Sequence, residues 1–190
     1  DNITGGSGID TIMGGAGGDI ITIGTAGHGN NDTIDGGAGS DVLQLSTGIH
    51  TFADDNKLKN VEKVQTHSSG SQVVLTGQTE AFTITGGVGA DTITGGGAAD
   101  TITGGAGNDI ITVDVGTDTV LDLGGSSGGE TDVVIVNSGA TLNATGIVSF
   151  TADGSTVNNG GAAANAVLTA RSAGATINVA SAGSGAVSYT

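Results

Sequence analysis

The sequence predicts an all-β fold, a β-solenoid wound from short strands and glycine-rich turns, and three observations predict it. First, a nine-residue word, Gly86-Gly87-Val88-Gly89-Ala90-Asp91-Thr92-Ile93-Thr94, returns without a break from Gly95 to Thr103 and from Gly104 to Thr112. An earlier cluster carries the same word from Gly5 to Met13, Gly14 to Thr22 and Gly36 to Gln44. Repetition at a short fixed period marks a solenoid, whose units bury a face only against their neighbours. Second, each word closes on one large apolar residue (Ile12, Ile21, Leu43, Ile93, Ile102, Ile111) set among residues rich in Thr and Ile. Third, polar and apolar residues also alternate outside the repeats, as in Val148-Ser149-Phe150-Thr151, Val167-Leu168-Thr169 and Ile177-Asn178-Val179, which argues strands rather than helices.

Each word divides into a turn and a strand. Glycines at the first, second and fourth places permit positive φ and leave carbonyls exposed, while the carboxylate at the sixth place adds a hard anionic oxygen. That half is a turn suited to a cation. The last three places form a short strand with one inward side chain.

The word G-G-x-G-x-D-x-U-x, with U a large apolar residue, resembles the repeats-in-toxin (RTX, haemolysin-type) calcium-binding family. The resemblance implies a right-handed parallel β-roll in which two successive repeats make one coil and Ca²⁺ lies between turns stacked on the same side. Each ion would be shared by aspartates eighteen residues apart: Asp1 with Asp19, Asp91 with Asp109, and Asp100 with Asp118. The family's metal-binding places carry over onto Asp1, Asp10, Asp19, Asp32, Asp41, Asp91, Asp100, Asp109 and Asp118. They also fall on the second- and fourth-place glycines Gly6, Gly8, Gly15, Gly17, Gly37, Gly39, Gly87, Gly89, Gly96, Gly105 and Gly107.

The departures from the pattern carry information too. Asp10 would seek its partner at position 28, where the chain has His28. After Thr22 the spacing lengthens, so four extra residues within Ile23 to Gly29 bulge from the roll or shift it, and a weakened or remodelled site is expected near His28. The period resumes with Asp32 and Asp41. The repeat from Val113 has lost both leading glycines but keeps Gly116, Asp118 and Val120, and Asp132 with Val134 reads as a further relic.

Four stretches follow in order: a first calcium roll over 1–45, a calcium-poor solenoid insert over 46–85, a second calcium roll over 86–136, and Ala-, Thr- and Gly-rich β-solenoid coils over 137–190. One or two helical turns and a loop feeding a strand both fit Ala53 to Val64. The loop is preferred, because Val73-Val74-Leu75 and Phe82-Thr83-Ile84 then continue as coils of one stack. Asp1 to Thr4 fit the sixth to ninth places of a repeat, so the chain is expected to be a window on a longer protein.

Charge agrees with a cation-filled scaffold. The formal net charge is −15, with four basic residues against nineteen acidic ones. A compact acidic stack repels itself unless cations are bound, which makes folding contingent on metal. Fifteen of the sixteen aspartates precede position 133, so the metal chemistry is confined to the first two thirds.

The same composition excludes several functions. The acidic balance argues against nucleic acid. No apolar run approaches the ~20 residues of a membrane span, and nothing resembles a signal peptide. There is no thiol, no G-x-S-x-G word and no phosphate-loop G-K-[ST]. His28, His50 and His67 are isolated and expected at the surface, so no enzyme is expected. The third-place residues Ser7, Ala16, Ala38, Val88, Gly97 and Ala106 form no Thr or Asn ladder of the kind ice binding needs.

The resemblance instead implies a protein secreted by the one-step (type I) route to the outside or surface of a Gram-negative bacterium. Two parents compete, and the first is preferred because the insert and the Ala-, Thr- and Gly-rich coils from Asn137 onward resemble the long solenoids of surface-layer proteins. The first is a self-assembling surface layer or similar scaffold, whose partners are copies of itself in a lattice or filament and, as a second candidate, a cell-surface polysaccharide. The other is the calcium-triggered folding and secretion module of a larger toxin, protease or adhesin.

Overall fold

A computed structural model describes residues 1–24, 31–52, 54–123, 132–137, 140–147, 149–151, 165–170, 176–178 and 186–189. The first stretch holds β1 (Asn2–Gly5), β2 (Thr11–Ala16), β3 (Ile20–Ile23), β4 (Thr33–Ala38) and β5 (Val42–Leu45). The insert holds β6 (Gly48–Thr51), β7 (Leu58–Lys59), β8 (Lys63–Gln65), β9 (Ser71–Val74) and β10 (Thr83–Thr85). The second roll follows with β11 (Thr92–Thr94), β12 (Thr101–Thr103), β13 (Ile110–Val113), β14 (Gly116–Val120) and β15 (Val133–Val136). Beyond it lie β16 (Ala140–Ile147), β17 (Ser149–Thr151), β18 (Asn165–Ala170), β19 (Thr176–Asn178) and β20 (Ala186–Tyr189).

Alternate strands join the same sheet, as a coil of two strands requires. One sheet of ten strands runs β1-β3-β5-β8-β10-β12-β14-β16-β18-β20, and every pairing in it is parallel. The opposite wall is divided into β2-β4-β7, then β6-β9-β11-β13-β15, then β17-β19. The chain is a parallel β-solenoid. No helix occurs among the described residues, and Ala53 to Val64, apart from position 53, which lies outside them, is a turn followed by β7 and the start of β8.

Registry explains why the eighth-place residue must be apolar. Ile3, Ile21, Leu43, Val64, Ile84, Ile102 and Val120 stand side by side in successive coils and form one column of the core. Ile21, Leu43, Val64, Ile84, Ile102 and Val120 are completely buried. The opposing column runs Val73, Ile93, Ile111 and Val134. Because side chains alternate between faces with period two, the sixth and first places point inward with the eighth. Asp19, Asp32, Asp41, Asp91, Asp100, Asp109 and Asp118 therefore enter the interior, and Ile23, Leu45 and Val113, at first places where the glycine is lost, are buried as well.

His50 corrects one expectation. It is fully buried rather than at the surface, because it pairs in register with Val73 and so occupies the inward column, with its Nε2 3.0 Å from the Ser46 carbonyl oxygen. His67 is exposed, and His28 lies outside the described residues.

Candidate metal centres

Asp19, Asp41, Asp91, Asp100 and Asp109 are delivered to the interior at the end of a glycine-rich turn and just before a strand, whereas Asp118 is buried within β14, Asp10 is half-buried and Asp1 is exposed. Along the ladder, one carboxylate oxygen is committed to the preceding coil. The Asp10 N–H donates to Asp32 Oδ1 at 2.8 Å and the Asp19 N–H to Asp41 Oδ1 at 2.7 Å. In the second block the Asp91 N–H donates to Asp109 Oδ1 at 2.8 Å, and the Asp100 N–H to Asp118 Oδ1 at 2.9 Å. Asn2 pairs with Ile20, which sets Asp1 beside Asp19 in the next coil. The pairs Asp1–Asp19, Asp91–Asp109 and Asp100–Asp118 are thus adjacent in the stack.

Asp10 has a carboxylate neighbour after all. Thr11 pairs with Thr33, so Asp32 takes the place that simple spacing assigned to position 28; the bulge expected within 23–29 lies, from position 25 on, outside the described residues. The relic at Asp132 also belongs to the ladder, since its Oδ1 accepts from the Asp109 N–H at 2.9 Å. Other places in the ladder have lost the carboxylate. Ser71 and Phe82 stand there, and their N–H groups donate to Asp91 Oδ1 and Asp100 Oδ1 at 2.7 and 2.8 Å.

The second carboxylate oxygen distinguishes two kinds of turn. Gly6, Gly87 and Gly96 donate their N–H to Oδ2 of Asp10, Asp91 and Asp100 at 2.9, 2.9 and 2.8 Å. At Gly15 and Gly37 the backbone instead takes φ of 104° and 96°, and Oδ2 of Asp19 and Asp41 is buried with no hydrogen-bond partner. Asp32 Oδ2 and Asp118 Oδ2 are in the same condition. Gly8, Gly17, Gly39, Gly105 and Gly107 also have positive φ, whereas Gly89 does not.

First-place glycines complete the arrangement. A Cβ on Gly14 would clash with the Gly36 carbonyl oxygen and lie 2.6 Å from Asp19 Oδ2. On Gly86 it would clash with the Gly104 carbonyl oxygen and lie 3.0 Å from Asp91 Oδ2. A carbonyl of one coil and a carboxylate of the next lower one therefore converge where a side chain would otherwise sit.

Burial raises the pKa of Asp118 to about 6, offset in part by the Asp100 N–H, and the negative charges of Asp100 and Asp114 raise it further. Burial likewise raises Asp100, against the N–H groups of Phe82 and Gly96. Anions held inside a low-dielectric stack are costly unless a cation meets them. The donor set fits a hard divalent cation, since it consists wholly of carboxylate and carbonyl oxygens. Among the described residues no three His, Asp or Glu side chains converge on one point, so backbone carbonyls would have to supply the remaining ligands.

Residues 1–25, 26–48 and 85–120 match the family model described as RTX calcium-binding nonapeptide repeat (4 copies). The chain carries RTX calcium-binding repeats. No curated protein and no solved structure matches it. The RTX blocks coincide with the two regions where buried aspartates and glycine turns alternate, and the gap between them coincides with the insert. Calcium is the ion such repeats bind, and repeats of this kind are typical of secreted proteins. No helix among the described residues is long and apolar enough to cross a membrane.

Proposed function

We propose that this RTX-repeat chain is a non-enzymatic, calcium-dependent structural protein of the cell exterior, which assembles with copies of itself into a surface layer or similar scaffold. The observation that carries the reading is the unbroken ten-stranded sheet. It runs from the first calcium turn through the insert and the second block into the Ala-, Thr- and Gly-rich coils. A stiff rod of this kind suits a load-bearing element, and its length is set by coil number rather than by a central core. The proposed setting is the outside of a Gram-negative cell, with other copies as the main partner and surface polysaccharide as a second.

Calcium is proposed to control assembly through folding. Extracellular calcium modules bind at about 10⁻⁴ to 10⁻³ M, so the chain stays unfolded in a calcium-poor cytosol and folds after export. A calcium titration followed by circular dichroism and light scattering, with reversal by EGTA, tests both parts. β-structure and large ordered assemblies should appear together. Folding to a stable monomer would refute the scaffold and leave the calcium-triggered secretion module of a larger exoprotein. Replacing Asp100 and Asp109 together with Asn should abolish calcium-induced folding of the second block, and retention of full β-signal and affinity would overturn the ligand assignment.

A further inference from the structure

The insert contains no copy of the nine-residue word, yet the carboxylate ladder continues past Asp41. Val42 pairs with Lys63, which sets Glu62 directly beside Asp41 in the following coil. Glu62 Oε2 accepts the Asp41 N–H at 2.7 Å, the same bond that Asp41 Oδ1 makes to the Asp19 N–H. Glu62 occupies a sixth-place aspartate's position without belonging to a repeat.

The turn that delivers it is built differently. Asp35 pairs with Lys59, so Asn60 stands opposite Gly36. Only Val61 separates Asn60 from Glu62, whereas Gly37 to Ser40 separate Gly36 from Asp41. The longer side chain of glutamate compensates for the shortened turn. Asn60 has φ of 52°, and it is the one non-glycine residue with positive φ among those described. Two other carboxylates hold it there: its side-chain amide donates to Asp35 Oδ1 at 2.8 Å, and its N–H donates to Glu80 Oε1 at 3.2 Å.

The Asn60 carbonyl is thereby pressed against Gly36. A Cβ on Gly36 would clash with that oxygen and lie 2.8 Å from Asp41 Oδ2. This repeats the convergence one coil earlier, where the Gly36 carbonyl and Asp19 Oδ2 meet over Gly14. Asp41 is completely buried, and its Oδ2 has no hydrogen-bond partner. A buried, unpartnered carboxylate oxygen beside a carbonyl and a second carboxylate calls for a cation.

We propose that Asp41, Glu62 and the Asn60 carbonyl hold a further divalent cation, of the calcium class, between the first repeat block and the insert. Two carboxylates neutralise one such ion, and the left-handed turn at Asn60 supplies the carbonyl that glycine supplies within the repeats. Metal dependence then reaches into a stretch whose sequence reads as calcium-poor. The proposal rests on the calcium reading above.

Equilibrium dialysis of the full chain against Ca²⁺ tests it, with bound metal counted by elemental analysis. Glu62 is exposed, so Glu62→Gln leaves the core intact and should lose one bound ion while the others remain. Asn60→Gly preserves both the carbonyl and the backbone geometry and should retain that ion. In backbone amide spectra, calcium should shift the Asn60 and Glu62 signals of the parent chain but not those of Glu62→Gln. Equal stoichiometry in the parent and Glu62→Gln, or unmoved Asn60 and Glu62 amides in the parent, would overturn this site alone. A parent chain that binds no calcium would overturn the calcium reading with it.

Discussion

Replacing Ile102 with Ala tests whether the stacked column, rather than the metal alone, decides how much calcium the fold requires. Ile102 is completely buried and lies between Ile84 and Val120 in the adjacent coils. The substitution removes three carbon atoms, about 2.4 kcal/mol at roughly 0.8 kcal/mol for each group, before any cavity cost. Strands spaced at ~4.8 Å by ladder hydrogen bonds cannot close the gap, so the total should be about 3 kcal/mol, within the usual range of about 2 to 5. Folding is linked to calcium, so this cost appears as a higher calcium midpoint. At 1.4 kcal/mol per decade, about 3 kcal/mol is roughly two decades, divided by the Hill coefficient. A Hill coefficient of about 4 would give a midpoint roughly threefold higher. The control is Ile110→Ala, because Ile110 is 40% exposed on the outer face of the opposite wall. A surface change of about 0.5 kcal/mol would move the same midpoint only about 1.2-fold. Calcium titrations by far-ultraviolet circular dichroism read both variants, and equal midpoints for the two would refute the column argument.

Two further perturbations probe the turn and the buried histidine. Gly15 and Gly37 both have positive φ, but a Cβ on Gly15 meets open space, whereas one on Gly37 would clash with the Gly15 carbonyl. Gly15→Ala should cost only the left-handed strain, about 1 to 2 kcal/mol, and Gly37→Ala distinctly more, measured as denaturant midpoints in saturating calcium; equal losses would contradict the close stacking of these turns. Burial lowers the His50 pKa below its ordinary 6.5, although its bond to the Ser46 carbonyl acts in the raising direction. The unfolded chain therefore takes up a proton before the folded one as pH falls, so stability from this group is complete above about 6.5 and is lost as pH drops from there through the lowered folded value. Melting temperature between pH 7 and 5 should fall less for His50→Leu than for the parent chain, and parallel curves would show that the ring titrates alike in both states.

Much of this architecture was legible in the sequence because the nine-residue word fixes pitch and facing together. A strand rule with period two, applied to Ile93, Ile102 and Ile111, gives the core columns directly. The lengthened spacing after Thr22 shows four extra residues, but it did not show that Asp10 would meet Asp32 rather than position 28. Glu62 was hidden, since its turn has only one residue between Asn60 and the carboxylate, and no glycine pair announces it. His50 was hidden for another reason. In Gly48-Ile49-His50-Thr51 the apolar residue is Ile49, but pairing with β9 turns that side chain outward and His50 inward, and a register shift of one residue reverses every face. Sequence alternation alone cannot choose between those two registers.

The first place of the word has a consequence for how such a rod can change over generations. Glycine there leaves room for a carbonyl and a carboxylate to converge, while Ile23, Leu45 and Val113 fill the equivalent inward position with hydrocarbon. The path of the backbone is continuous through both kinds of coil. At Gly14, Gly36 or Gly86 a Cβ would strike the carbonyl of the adjacent coil, so exchanging an ion-built coil for an oil-built one needs the neighbouring turn to move as well. The balance of glycine and aliphatic residues along that inward row sets how much of the interior is built from charge that must be met by an ion and how much from hydrocarbon.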